Sequence, residues 1–182
     1  MESGLTPSQP VAGALLSGIL SDTLSLKMST TTHRDIQAVK YLARIAQEDP
    51  ELLGSVLLEQ AMDLSGISLD RILARDQKEF TLSGKKVLIS QVMVPSFAWN
   101  QERESAIQAE LARMKNTSGS DMVLVLFTSV AEKSSELHGA ADADLLEALF
   151  RKHLPVRLEG VMSRKLDFLP WLGARLREQV HP

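Results

Sequence analysis

The apolar positions of this chain change their period near residue 62. Before that point they recur at helical spacing. Val11, Leu15 and Ile19, with Leu16 and Leu20 beside them, form a broad apolar face over residues 8–24, and Pro10 suits a first turn. The polar run Ser21-Asp22-Thr23 ends that face. Thr32, with Asp35 three positions on, resembles a capping box with the shorter acid, and opens a second helix whose stripe is Ile36, Val39, Leu42, Ala43 and Ala46. A third helix over about 50–62 carries Leu53, Val56, Leu57 and Gln60 on one side. A short helix at 68–74 follows, capped by Ser68.

From there the period becomes two. Residues 79–82 and 86–94 around Ser83-Gly84 read as a hairpin, with Val87, Ile89, Gln91 and Met93 alternating against Leu88, Ser90, Val92 and Val94. Residues 101–115 predict a helix along Ile107, Leu111 and Met114, and 116–120 a polar loop. The unbroken apolar run 122–127 is what a strand buried on both faces requires. A short strand at 135–138, a helix at 142–150, a strand at 156–162 and a closing helix at 169–179 complete the chain. Helices first, then β-β-α-β-(β)-α-β-α, predict a mixed α/β protein in two pieces, residues 5–62 and 63–182.

Composition removes several classes of function. The 182 residues suffice for one domain, or a domain and part of another, and for a core that needs no staples. A net charge of −3, from 20 Lys+Arg and 23 Asp+Glu, excludes a protein built to coat nucleic acid or anionic lipid, while leaving a local basic patch open. With no cysteine there is no disulfide, thiolate metal site or cysteine nucleophile. The most apolar stretch, 11–20, is interrupted by Gly13, Ser17 and Gly18 and is half the roughly twenty residues a membrane helix needs. Only Glu2 is charged before it, which argues against an export signal. The expectation is a soluble, cytoplasmic protein with neither membrane nor nucleic acid as partner.

No phosphate loop, GxGxxG, HExxH or GxSxG is present. His33, His138, His153 and His181 are scattered and read as surface or cap residues. Three places remain for chemistry. Asp22, at the end of an apolar helix, is a carboxylate of the kind that binds or bridges hard divalent cations, or else a turn residue. Lys78, where a short helix gives way to a strand, suits a phosphate as a point charge, or is simply solvated. Ser163-Arg164-Lys165, closing the last strand, offers a bidentate fork beside a compact ammonium, or an ordinary charged surface.

The order of these pieces carries a resemblance. Residues 16–24, LSGILSDTL, followed by Lys27 and the helix start at 30–35, resemble the last motif of the phosphoesterase (DHH) domain in manganese-dependent family II inorganic pyrophosphatases. Residues 76–80 (DQKEF), the strand ending in Gln91-Val92, and 159–165 (EGVMSRK) resemble the second type of DHH-associated domain that follows it. The resemblance spans about residues 5–180. It implies the helical tail of a DHH domain at 5–62 and a substrate-clamp domain at 63–182. It also implies hydrolysis of pyrophosphate to two phosphates by a two-metal mechanism. Asp22 takes the position of the metal-bridging carboxylate, and Lys78, Arg164 and Lys165 that of the phosphate clamp. The cofactor implied is Mn²⁺, with Mg²⁺ or Co²⁺ as substitutes. The family's amino-terminal His-x-Asp-x-Asp and Asp-His-His motifs have no counterpart here. The remaining ligands are therefore expected from an amino-terminal DHH half, in cis or in trans, and the chain alone is expected to be inactive or nearly so. Self-association to a homo-oligomer, a non-catalytic phosphate- or nucleotide-binding module, and an exopolyphosphatase-like phosphoesterase stay open as alternatives. The first helices are expected to leave an apolar surface along 11–20.

Overall fold

The computed structural model describes residues 5–28, 30–150 and 154–180, so His153 and His181 lie outside the described residues. The chain divides into two compact units, Met1–Asp63 and Leu64–Pro182.

The first unit is helical: α1 Gln9–Asp22, α2 His33–Ala46 and α3 Pro50–Met62. The predicted capping box forms, with the Thr32 side chain accepting from the Asp35 N–H and the Asp35 carboxylate accepting from the Thr32 N–H at 2.8 Å. The Thr32 hydroxyl, which donates to that carboxylate at 2.7 Å, and the Thr32 N–H together hold the Asp35 carboxyl below its ordinary range. Asp49 caps α3 by accepting from the N–H groups of Glu51 and Leu52. Ala12, Leu16 and Leu20 of α1 pack on Val39, Leu42 and Ala46 of α2, with Leu53 and Leu57 beside them. The broad face expected of α1 is thus divided. Leu16 and its neighbours face the core, while Val11 and Leu15 are half exposed (50% and 51%). Val56, expected to share the inner side of α3, is also exposed.

Directly after Asp22 the backbone turns through three successive left-handed residues, Leu24, Ser25 and Leu26, with φ of 47°, 57° and 62°. Such a run is costly for side chains with a Cβ. Thr23 stabilises it: its buried hydroxyl donates to the Ile19 carbonyl at 2.7 Å and accepts from the Leu26 N–H at 3.1 Å. Room for Ser25 comes from Gly54 of α3, where an added Cβ would stand 2.3 Å from the Ser25 hydroxyl oxygen.

The second unit contains α4 Leu69–Leu73, β1 Lys78–Leu82, β2 Lys85–Met93, α5 Ala98–Gln101, α6 Glu104–Ser118, β3 Met122–Ser129, β4 Ser134–Ala141, α7 Ala143–Phe150 and β5 Val156–Glu159. A π-helical turn, Arg164–Phe168, then leads into α8, Leu169–Val180. One five-stranded sheet runs in the order β1-β2-β3-β4-β5. Only β2 and β3 are parallel, and the chain between them crosses over through α5 and α6. The hairpin and the alternation in β2 are as expected. Val87 and Ile89 face a core closed by α7 and α8, whereas Val92 and Val94 face one closed by α4 and α6. β3 separates these cores and is buried at all eight positions. Asp121 ties its start to β2 by accepting the Lys86 N–H at 2.8 Å, which lowers the Asp121 carboxyl. The expected mixed α/β class, a central sheet flanked by helices, is what the chain forms.

The helix expected from residue 101 starts at Glu104, after the separate short α5, and three further boundaries differ from expectation by several residues or in what they place. Residues 116–118 continue α6 rather than forming a loop, because Gly119 takes the left-handed capping conformation (φ 65°). β4 is longer than 135–138, since Glu136 and His138 are buried polar residues that hide its apolar pattern. β5 stops at Glu159, where Gly160 turns with φ 73°. Ser163-Arg164-Lys165 therefore opens the π-helical turn instead of closing a strand.

Candidate functional site

Lys78 is the first residue of β1, two positions after Asp76, which adopts φ 47° between α4 and that strand. Arg164 arrives from the far end of the unit, and the two cations meet at Asp76. Arg164 Nη2 lies 3.1 Å from Asp76 Oδ2, and Lys78 Nζ lies 3.9 Å from Asp76 Oδ1. Arg164 Nη1 donates to the main-chain carbonyls of Asp76 and of Ile89, the latter at 3.1 Å. The guanidinium stands 6.0 Å from the Phe80 ring centre. Only 7% of the Arg164 side chain is exposed, against 61% for Lys78 and 54% for Asp76. Burying a guanidinium requires hydrogen bonds to its donors, and these partners supply them. Lys165, the next residue, is exposed.

The loop that carries Arg164 and Lys165 is held from beneath by Gln91 of β2. Its Nε2 donates to the Met162 carbonyl and to Thr128 Oγ1, both at 2.9 Å, and its Oε1 accepts from the Arg164 N–H at 3.2 Å. Ser135 Oγ donates to the Val161 carbonyl at 2.7 Å. Asp167 Oδ2 accepts from the N–H groups of Met162 (3.0 Å) and Ser163 (2.8 Å), so the turn is closed on itself. Sequence reasoning singled out the three cations and missed these supports. Asp76 and Gln91 lay inside the motifs it quoted, but nothing in their spacing tells that one pairs with Arg164 and the other carries its loop.

Asp22 is the last residue of α1 and is exposed, and its carboxylate has no hydrogen bond or ion pair to another described residue. α1 has no basic residue in its last turn, so the negative end of the helix dipole and the carboxylate add. A cation there is electrostatically favoured. Yet among the described residues no three His, Asp or Glu side chains converge to hold a metal ion. A manganese ion takes about six ligands, so Asp22 and its neighbours do not by themselves fit one.

His138 corrects the surface reading given to the histidines. It is fully buried on β4, with Nε2 2.7 Å from Glu136 Oε1 and its ring edge-on to Phe127 at 5.0 Å. Asn100 of α5 donates to the same Glu136 oxygen. His33 is exposed at the start of α2, its Nε2 3.0 Å from Gln37 Nε2. No described helix is long and apolar enough to cross a membrane.

All three cations, and the residues that hold Arg164 and its loop, fall within 55–174, which match the model of the DHHA2 domain. The chain belongs to the DHHA2 domain family. It is similar to proteins described as manganese-dependent inorganic pyrophosphatases. With that of Thermotoga maritima it shares 34% identity over 98% of this chain and 33% of the relative. With that of Bacillus subtilis it shares 33% identity over 97% of this chain and 59% of the relative. A crystal structure from Methanococcus jannaschii, described as a family II inorganic pyrophosphatase, superposes with a TM-score of 0.83 at 31% identity, over 95% of this chain and 58% of that one. The family resemblance read from the motifs is borne out. The chain spans a third to three fifths of the length of these relatives.

Proposed function

We propose that this chain supplies the phosphate-clamp part of a manganese-dependent hydrolase that cleaves pyrophosphate to two phosphates by a two-metal mechanism. The observation that carries the reading is the meeting of Lys78 and Arg164, from opposite ends of the matched domain, at one half-exposed spot beside the exposed Lys165. Lys78 and Lys165 offer compact charges to phosphate oxygens, and Arg164 a planar donor edge. Together they neutralise charge that builds on the leaving phosphate. Manganese would supply the activated water of such a reaction. Asp22 would be one ligand to it, with the others supplied by an amino-terminal DHH half, in cis or in trans. The exposed stripe Val11, Ala14, Leu15 and Gly18, which ends at Asp22 on the same face of α1, supports a further chain surface there. The setting proposed is the cytoplasm.

Phosphate release from pyrophosphate by the purified chain, with and without Mn²⁺ and beside Asp22→Ala, tests the catalytic part. Little or no turnover is expected alone, and turnover on adding a DHH half from a relative. The clamp is tested by pyrophosphate binding to Lys78→Ala and Lys165→Ala, both exposed positions whose loss leaves the fold intact. Each is expected to weaken binding, and unchanged binding in both removes the clamp. Arg164→Ala is a poorer probe, because it strips a buried group from its partners. Binding without turnover in the completed assembly would favour a non-catalytic phosphate module, and preference for longer chains an exopolyphosphatase.

A further inference from the structure

Two of the three cations of the proposed clamp, Lys78 and Arg164, already hold an anion. Asp76 spans them, with Oδ2 on Arg164 Nη2 at 3.1 Å and Oδ1 towards Lys78 Nζ at 3.9 Å. We propose that Asp76 is an internal counter-anion that an incoming phosphate must displace, and that it thereby sets which anions the clamp accepts. The proposal rests on the clamp reading above.

Three features support it. First, Arg164 does not need the Asp76 carboxylate to stay in position. Its Nη1 is anchored on the main-chain carbonyls of Asp76 and Ile89, and its backbone N–H on Gln91 Oε1. The Nη2 edge is the one facing the carboxylate, and it is the edge that can be handed to another anion. Second, the carboxylate is the member of the pair that water reaches, 54% exposed where the Arg164 side chain is 7% exposed. A ligand approaching Arg164 meets Asp76 first. Third, Asp76 sits at φ 47°, a conformation that Asp and Asn tolerate better than most residues, so the backbone that presents the carboxylate suits this side chain. Exchange replaces one unit of negative charge. A monoanion gains little by it, whereas phosphate or pyrophosphate brings more charge and more oxygens to the same two cations. Asp76 is thus a specificity-determining residue that favours polyanions.

The test uses calorimetry on the full chain with inorganic phosphate, pyrophosphate and nitrate. Asp76→Asn removes the charge and keeps both the left-handed backbone and the carbonyl that Arg164 uses. Asp76→Gly does the same without any side chain, and thermal melts check that each variant is folded. Both are expected to bind phosphate about fivefold or more tightly than the parent, the effect of one unit charge at about 4 Å in a water-like medium. Nitrate binding is expected to appear or strengthen alongside. A residue needed only to hold Arg164 would give the opposite sign. Variants that bind phosphate no tighter than the parent, while Lys78→Ala weakens the parent, overturn this inference and leave the clamp. Absence of phosphate and pyrophosphate binding in the parent and both variants overturns the clamp, and this inference with it.

Discussion

Gln91 gives the sharpest link between the sheet and the candidate site. Its amide makes three hydrogen bonds, two to the loop that presents Arg164 and Lys165 and one to Thr128 of β3. Gln91→Met keeps the length of the side chain and deletes all three. Thr128 retains Ser135 as a partner at 2.8 Å, but the Met162 carbonyl and the Arg164 N–H lose theirs. Partly buried hydrogen bonds contribute about 0.5–1.5 kcal/mol each, and a group left unpaired costs about 1–3 kcal/mol, so the expected destabilisation is about 2–3 kcal/mol. For a unit of this size that lowers the thermal midpoint by on the order of 10 °C. Urea unfolding followed by circular dichroism reads it as a fall in midpoint at constant slope. Phosphate binding should weaken in parallel, because the loop bearing two of the three cations is released from the sheet. A loss of stability below about 0.5 kcal/mol, within the range of neutral surface changes, would refute the view that the amide holds this loop.

Gly139→Ala on β4 would put a Cβ 2.5 Å from Leu124 Cδ2 and 3.0 Å from the Val123 carbonyl, which cannot move aside. Overpacking of about 1–3 kcal/mol is expected in the same urea experiment. Gly13→Ala, in the interior of α1 with nothing within 4 Å of the new Cβ, should instead stabilise the first unit by roughly 0.5–1 kcal/mol. Asp121 has its carboxyl lowered from 3.8, chiefly by the Lys86 N–H, so its contribution is present above that value and is lost as pH falls below it. Acid titration of Asp121→Asn should therefore show a shallower loss of stability below about 3.8 than the parent.

Much of this molecule was legible from its residues. Period-two alternation in β2 assigned Val87 and Ile89 to one side and Val92 and Val94 to the other, and each side has its own core. Thr32 and Asp35 announced their helix start, and the apolar run of β3 announced a strand covered on both faces. What escaped was decided by contacts distant in sequence. His138 looks like a surface residue until Glu136 and Asn100 surround it in the core. Arg164 and Lys165 look alike as neighbours, yet one is buried against Asp76, eighty-eight residues away, and the other is exposed. The division of the α1 face had the same origin, since Val11 and Leu16 are equally apolar and only the position of α2 separates them. No local pattern encodes such partners.

The sheet also constrains the order in which the chain becomes safe to handle. β3 carries no charge along Met122–Ser129, the composition of a segment prone to cross-strand aggregation. Its hairpin with β4 closes locally, across residues 130–133, but the parallel pairing with β2 must wait for the crossover through α6. One face of the sheet stays open longer still, because Phe168, Leu172 and Leu176, which cover Leu124 and Leu126, follow all five strands in the chain. A growing chain is therefore stickiest shortly before α8 emerges from the ribosome. Fragments cut before residue 168 should go to inclusion bodies even where every strand is present.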